Sequence, residues 1–311
     1  MLKLLGKTNI NFIGGRKYAF GFSSVLVTIG LIAFVSIMMG KANLGMDFTG
    51  GAMIQGNFEK PIDISALRAA LNGGGFPDAS IQELQTKGVQ NSFLIRVKAE
   101  GDNPTTGTTE TIKKLINLVA TSFPGNAFHK DSEHAIGPAV GETLRRQANL
   151  AVILAMLGIL IYIWFRFDFR FGVAATIATF HDVLAVLGIF WLLGLEIDLL
   201  VITALLTLAG YSLTDTVVVF DRIRENLKLF RKKGDFVTSI NISINEVLSR
   251  TIITSLTVLL VVLTLLFFGG PVLFSFALAL SMGVVIGTYS SVFVASPIVV
   301  EWEARSPKRF K

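Results

Sequence analysis

The residue with most to explain is Asp215. It lies in GYSLTDTVVVFDRIREN, positions 210–226, on the apolar side of a border marked by Asp221, Arg222, Arg224 and Glu225. On a helix it would stand roughly 9 Å short of Asp221 along the axis. A carboxylate in hydrocarbon costs about 2.5–3.5 kcal/mol even on the lenient insertion scale, so such a group has a partner or a task. The chemistry it offers is reversible protonation, since the group is costly when charged and cheap when neutral.

Other polar sets interrupt apolar runs. Thr203, Thr207, Tyr211 and Asp215 recur at i, i+4 and read as one ridge, a hydrated functional face. Alone, such threonines would only bond back to their own helix. His181 and Asp182 fall mid-span with Thr176 and Thr179 nearby, either as a static staple between helices or as part of a proton path. Both readings stay open. Arg250, Thr254, Thr257 and Thr264 make a polar line on another span. Arg250 either snorkels into headgroups or pairs with Asp215, whose protonation would then release it and change helix packing. Ser275, Ala279, Gly283, Gly287, Ser291 and Ala295 repeat every fourth residue, a small-residue ridge that is a packing feature first.

Membrane spans must position these groups. A length of 311 residues suggests about two domains, but a 52% apolar composition and a mean hydropathy of +0.63 point to the bilayer. The net charge of +6 comes from basic residues flanking hydrophobic runs. That is not a basic stripe interleaved with aromatics, and it argues against nucleic acid as a partner. The absence of cysteine excludes disulfides, thiolate metal sites and a thiol nucleophile. There is no P-loop, no H-E-x-x-H, no G-x-S-x-G elbow, and only His129, His134 and His181 for a metal. We expect no cofactor, no metal and no enzymatic centre; energy would come from an ion gradient.

In chain order, residues 1–17 form a basic segment with Lys3, Lys7, Arg16 and Lys17, either a short interfacial helix or a frayed tail. Residues 18–39 are long enough for an uncleaved span. Residues 40–147 have the character of a soluble α+β domain. Strands are expected at 52–58, 80–85, 93–98 and 128–136, and helices at 64–71, capped by Asp63, and at 110–122. The order β-α-β-β-α-β is that of a ferredoxin-like unit. The remaining spans are 148–165, 172–193, 199–220, 251–268 and 272–300, the last tilting or ending early at Pro297. This predicts an α-helical polytopic membrane protein of six transmembrane helices, with a bundle at 148–300 and a basic tail at 301–311. Loop charges put both termini in the cytoplasm: Arg166, Arg170, Arg222, Arg224, Lys228, Arg231, Lys232, Lys233 and Arg250 share one side with Arg305, Lys308, Arg309 and Lys311. The soluble domain is then extracytoplasmic.

Six segments carry a resemblance: the 210–226 stretch, LSRTIITSLT at 248–257, GMDFTGG at 45–51, FHDV at 180–183, IGPAVGE at 136–142 and FGGPVL at 268–273. Together they resemble the SecD/SecF family of bacterial protein-translocase subunits, in the resistance-nodulation-division superfamily. The resemblance runs from the first span to the last. It implies an inner-membrane subunit that forms a heterodimer with SecD. It also implies association with the SecYEG channel and YajC, and use of the proton motive force to assist an unfolded preprotein. The family's intramembrane acid matches Asp215 and its basic partner matches Arg250; our own expectation adds Asp182 with His181 as support for the route. Thr214 stands where the family usually has Asn, and Ala139 where it has Ser. Asp47, Gly50 and Gly51 fall where the chain enters the outer domain, as a tight turn or hinge. Two rivals remain, half of a small-solute exporter and a purely structural subunit whose polar residues glue helices together.

Overall fold

The computed structural model describes residues 8–86, 89–98, 106–229 and 235–306. Lys3, Lys7, Arg231, Lys232, Lys233, Lys308, Arg309 and Lys311 lie outside the described residues. Two compact units are present, a mixed one around 44–151 and a helical one formed from 1–43, 152–269 and 273–311.

The mixed unit is built as the apolar periodicities require. Its elements are a short α2 (Met46–Thr49), β1 (Gly51–Phe58), α3 (Ile64–Gly73), β2 (Ser80–Thr86), β3 (Val89–Lys98), α4 (Thr106–Ser122) and β4 (Phe128–Ile136). Asp63 caps α3 by accepting the Ser65 backbone N–H at 2.9 Å. The antiparallel sheet has the order β2-β3-β1-β4, the ferredoxin-like arrangement expected. One face of α3 and α4 (Leu67, Leu71, Leu115 and Val119) buries against Ile54, Phe58, Phe93 and Ile95. Leu94, on the opposite face of β3 from Phe93 and Ile95, is buried as well. Gly50 adopts φ +72°, and a Cβ there would lie 2.9 Å from Pro138 Cα; one on Gly51 would lie 2.5 Å from the Val97 carbonyl. Both glycines are therefore needed for a tight turn against neighbouring backbone.

Among the described residues, six helices are long and apolar enough to cross a membrane. They are α1 (Arg16–Met38, extended by a 3₁₀ turn at Ile13–Gly15), α5 (Pro138–Arg166), α6 (Phe169–Leu192), α7 (Leu199–Leu229), α8 (Phe236–Phe268) and a composite last span. That span joins α9 (Gly270–Ser290) and α10 (Ser296–Arg305) through a π turn, Ser291–Ala295. It does not end at Pro297. The proline lacks the N–H that an uninterrupted ladder needs, and it falls just after a stretch in which the ladder is already displaced. Ser296 Oγ donates to the Ser291 carbonyl at 3.0 Å within that turn.

The N-terminal segment is neither an interfacial helix nor a frayed tail over its described part. Phe12 and Ile13 are buried, and Asn245 and Asn241 of α8 hold the backbone N–H groups of Ile10 and Ile13 at 2.9 and 3.1 Å. At the crossing of α1 and α6 the backbones nearly touch. A Cβ on Gly30 would meet the Leu184 carbonyl at 2.2 Å, and one on Gly188 would meet the Gly30 nitrogen at 2.7 Å. Ion pairs gather near the ends of the spans, joining Arg16 to Glu301 and Arg222 to Glu246, both at 2.7 Å, Arg170 to Glu303, and Arg166 to Asp221.

Candidate functional site

The interior of the helical unit holds two carboxylates on adjacent helices. Asp182 on α6 is fully buried, and Asp215 on α7 is 8% exposed. Burial of Asp215 follows from helix geometry: Leu208, Ser212, Thr216 and Val219 share the interior side of α7. The expected threonine ridge does not stay with it. Each i, i+4 step turns a helix by roughly 40°, so Thr203 is about 120° round from Asp215. Thr203 and Thr207 are exposed, and their hydroxyls donate to Leu199 and Thr203 carbonyls at 2.9 and 2.8 Å. Thr214 is also exposed and donates to the Gly210 carbonyl at 3.0 Å, away from the acid beside it. The continuous hydrated ridge is therefore corrected to one polar face that turns outward and one buried acid.

Tyr211 keeps a place in the interior. Its hydroxyl donates to Ser255 Oγ of α8 at 3.2 Å, and Thr288 of α9 donates to the same oxygen at 2.7 Å. Thr254 and Thr257 are exposed and bond back to α8, to the Arg250 carbonyl at 3.0 Å and the Thr254 carbonyl at 2.8 Å. Gly283 and Gly287 do what a small-residue ridge should. A Cβ on the first would strike the Leu208 side chain at 2.6 Å, and one on the second would press Ser212 Cβ at 3.1 Å. Asp47 sits in α2 beside the Gly50–Gly51 turn, in the other unit.

Asp182 accepts from three donors on three helices. His181 Nδ1 lies 2.8 Å from one oxygen, and the hydroxyls of Ser212 and Ser290 both reach the other, Ser290 at 2.7 Å. His181 Nε2 is buried with no hydrogen-bond partner and lies at the wall of a groove of about 630 Å³ lined also by Ser23, Ser24 and Thr176. These hydrogen bonds tie α6, α7 and α9 together at one carboxylate.

Asp215 is held differently. Ser291, at the start of the π turn, donates to Oδ2 at 3.1 Å. The buried Thr251 hydroxyl of α8 faces the carboxylate without a hydrogen bond of ordinary geometry. Arg250 is close enough for its charge to act on Asp215, yet its side chain is exposed, and among the described residues the two form no ion pair. The expected contact pair is not formed among the described residues. Ser212, Ser290, Ser291, Ser255, Thr288 and Thr251 were not singled out for chemistry from sequence. A serine in an apolar run has no spacing that distinguishes a carboxylate donor from a packing residue.

The arrangement has clear relatives. Residues 116–305 match the family described as "Protein export membrane protein SecD/SecF, C-terminal". The chain is 49% identical over 301 residues to the protein translocase subunit SecF of Thermodesulfovibrio yellowstonii, covering 96% of this chain and 97% of that one. It is 39% identical over 291 residues to SecF of Pseudomonas aeruginosa, covering 94% and 90%. The crystal structure of SecDF, described as a translocon-associated membrane protein from Thermus thermophilus, superposes with a TM-score of 0.79 at 39% identity. It matches 96% of this chain, which spans 39% of that longer one. By sequence over nearly its whole length, and by fold, this chain belongs to the SecD/SecF family of protein-export membrane proteins.

Proposed function

We propose that the chain is an auxiliary subunit of the Sec export machinery. It works with SecD beside the SecYEG channel, and with YajC, to couple the proton motive force to movement of an unfolded preprotein. The bundle sits in the bacterial inner membrane with both termini cytoplasmic, because the basic residues between spans fall on one side. The ferredoxin-like domain is then periplasmic, where it meets the emerging polypeptide. No catalytic chemistry is assigned to the chain; its role is transport.

The single observation that carries this reading is the setting of Asp215. It is a buried carboxylate touched by a hydroxyl, with an arginine near but not in contact. A carboxylate already neutralised by a contact ion pair would gain little from a proton. One held by a hydroxyl in a low-dielectric bundle changes its packing preference on protonation. Asp182, with its three donors, serves as a brace for α6, α7 and α9. The outward threonines of α7 and α8 offer a polar face to the partner half.

The test is gradient-dependent export into inverted membrane vesicles carrying the complete complex. Asp215→Asn should assemble with SecD and lose the stimulation that depends on the gradient. Undiminished stimulation with that variant would remove Asp215 from the mechanism.

A further inference from the structure

Ser290 and Ser291 are consecutive, both are fully buried, and each reaches a different carboxylate. Ser290 Oγ lies 2.7 Å from Asp182 Oδ2, and Ser291 Oγ lies 3.1 Å from Asp215 Oδ2. Each hydroxyl also has a second acceptor on its own helix, the Gly287 carbonyl at 3.1 Å for Ser290 and the Thr288 carbonyl at 3.1 Å for Ser291. A hydroxyl carries one proton, so it serves one of the two fully. For Ser290 the carboxylate is clearly nearer. For Ser291 the two acceptors are equidistant, and Ser291 is the first residue of the π turn.

We propose that Ser291 is a positioning residue that reports the charge of Asp215 to the π turn, while Ser290 fixes the same element to Asp182. When Asp215 is ionised, the anion is the stronger acceptor and draws the Ser291 proton. When Asp215 takes up a proton, its O–H can donate to Ser291 Oγ, and the serine proton turns to the Thr288 carbonyl. That back-bond competes with the helix's own amides, and such bonds weaken and bend helices. The change is delivered where Pro297 and the displaced ladder already make the span least regular. One proton is added, forming an O–H bond on Asp215, and every other change is an exchange of hydrogen bonds. Ser290, held by a carboxylate with two other donors, keeps α9 in place so that the response stays local to the turn.

This rests on Asp215 being the group that changes protonation, and the experiment separates the two claims. Amide hydrogen exchange over residues 290–296 is measured by mass spectrometry on the full chain in lipid nanodiscs, in a double-mutant cycle of Asp215→Asn with Ser291→Ala. A hydrogen bond to a charged group is worth enough to move an equilibrium about tenfold. Asp215→Asn, which mimics the neutral acid, should therefore speed exchange of the turn about tenfold. In the Ser291→Ala background the same change should do less than about twofold, because no hydroxyl remains to turn. Ser291→Thr, which keeps the hydroxyl, should restore the full effect, and Ser291→Cys should behave as the alanine. Equal acceleration with and without the hydroxyl, or a threonine that behaves as alanine, overturns the proposal. If Asp215→Asn instead leaves export stimulation intact, it is the assignment of Asp215 that fails, whatever the cycle gives.

Discussion

Replacing Asp182 gives the sharpest separation between a brace and a proton carrier. Its carboxylate receives His181, Ser212 and Ser290 and is fully buried. In Asp182→Ala, Ser290 can fall back on the Gly287 carbonyl at 3.1 Å, but His181 Nδ1 and Ser212 lose their acceptor. Two orphaned donors cost about 2–6 kcal/mol at about 1–3 kcal/mol each. Interhelical hydrogen bonds in bilayers average only about 0.6 kcal/mol, so the two lost here, from Ser212 and Ser290, set a floor near ~1 kcal/mol. Asp182→Asn should behave otherwise. Its carbonyl can keep both serine hydroxyls, and its amide can donate to His181 Nδ1 once the imidazole proton moves to Nε2. The expected loss is under about 1 kcal/mol. Thermal unfolding in one detergent, followed by tryptophan fluorescence, reads both variants, and gradient-dependent export is measured alongside. An asparagine as destabilising as the alanine would show that the negative charge, not the bond count, holds the three helices. A stable asparagine that abolishes export, with Asp215→Asn still active, would move the proton site to α6.

Further outcomes follow from single positions. Gly188→Val should disrupt the α1–α6 crossing, since even its Cβ would lie 2.7 Å from the Gly30 nitrogen. Overpacking of this kind costs about 1–3 kcal/mol or more, read as a lower unfolding midpoint, and an unchanged midpoint would mean the helices separate freely. In the mixed unit, Asp63 is held below the usual carboxylate range by donation from the Ser65 backbone and hydroxyl. Its folded value is depressed, so the stabilisation is present above the unfolded value and is lost as pH falls through the folded one. Protection of the first turn of α3 in the full chain should therefore fade as pH falls below the ordinary carboxylate range. Asp63→Asn, which keeps a cap without a titrating group, should remove that dependence.

The coarse architecture was legible because it rests on averages over many residues. Twenty-residue apolar runs announce spans, and the alternation in Phe93, Ile95 and Val97 announces a strand. Asp215 stood out because one carboxylate in hydrocarbon is expensive. Its surroundings did not, for geometric reasons. A four-residue spacing looks straight on paper but winds round a 3.6-residue helix, so Thr203 and Thr207 left the face on which Asp215 sits. Pro297 looked like a possible end, yet a π turn lets the span continue past it to Arg305. The backbone of Ile10 and Ile13 is held by asparagines more than two hundred residues away, a pairing no local pattern encodes. The serines that contact the acids are, in sequence, indistinguishable from those that merely pack.

The most direct measurement is proton uptake by liposomes containing the complete, purified SecD-paired complex under an imposed pH gradient, comparing the unaltered chain with Asp215→Asn. Uptake should fall to the leak of protein-free liposomes in the variant, while Asp182→Asn retains most of it. Uptake that persists unchanged without the Asp215 carboxylate would contradict the proposal that this buried acid carries the proton.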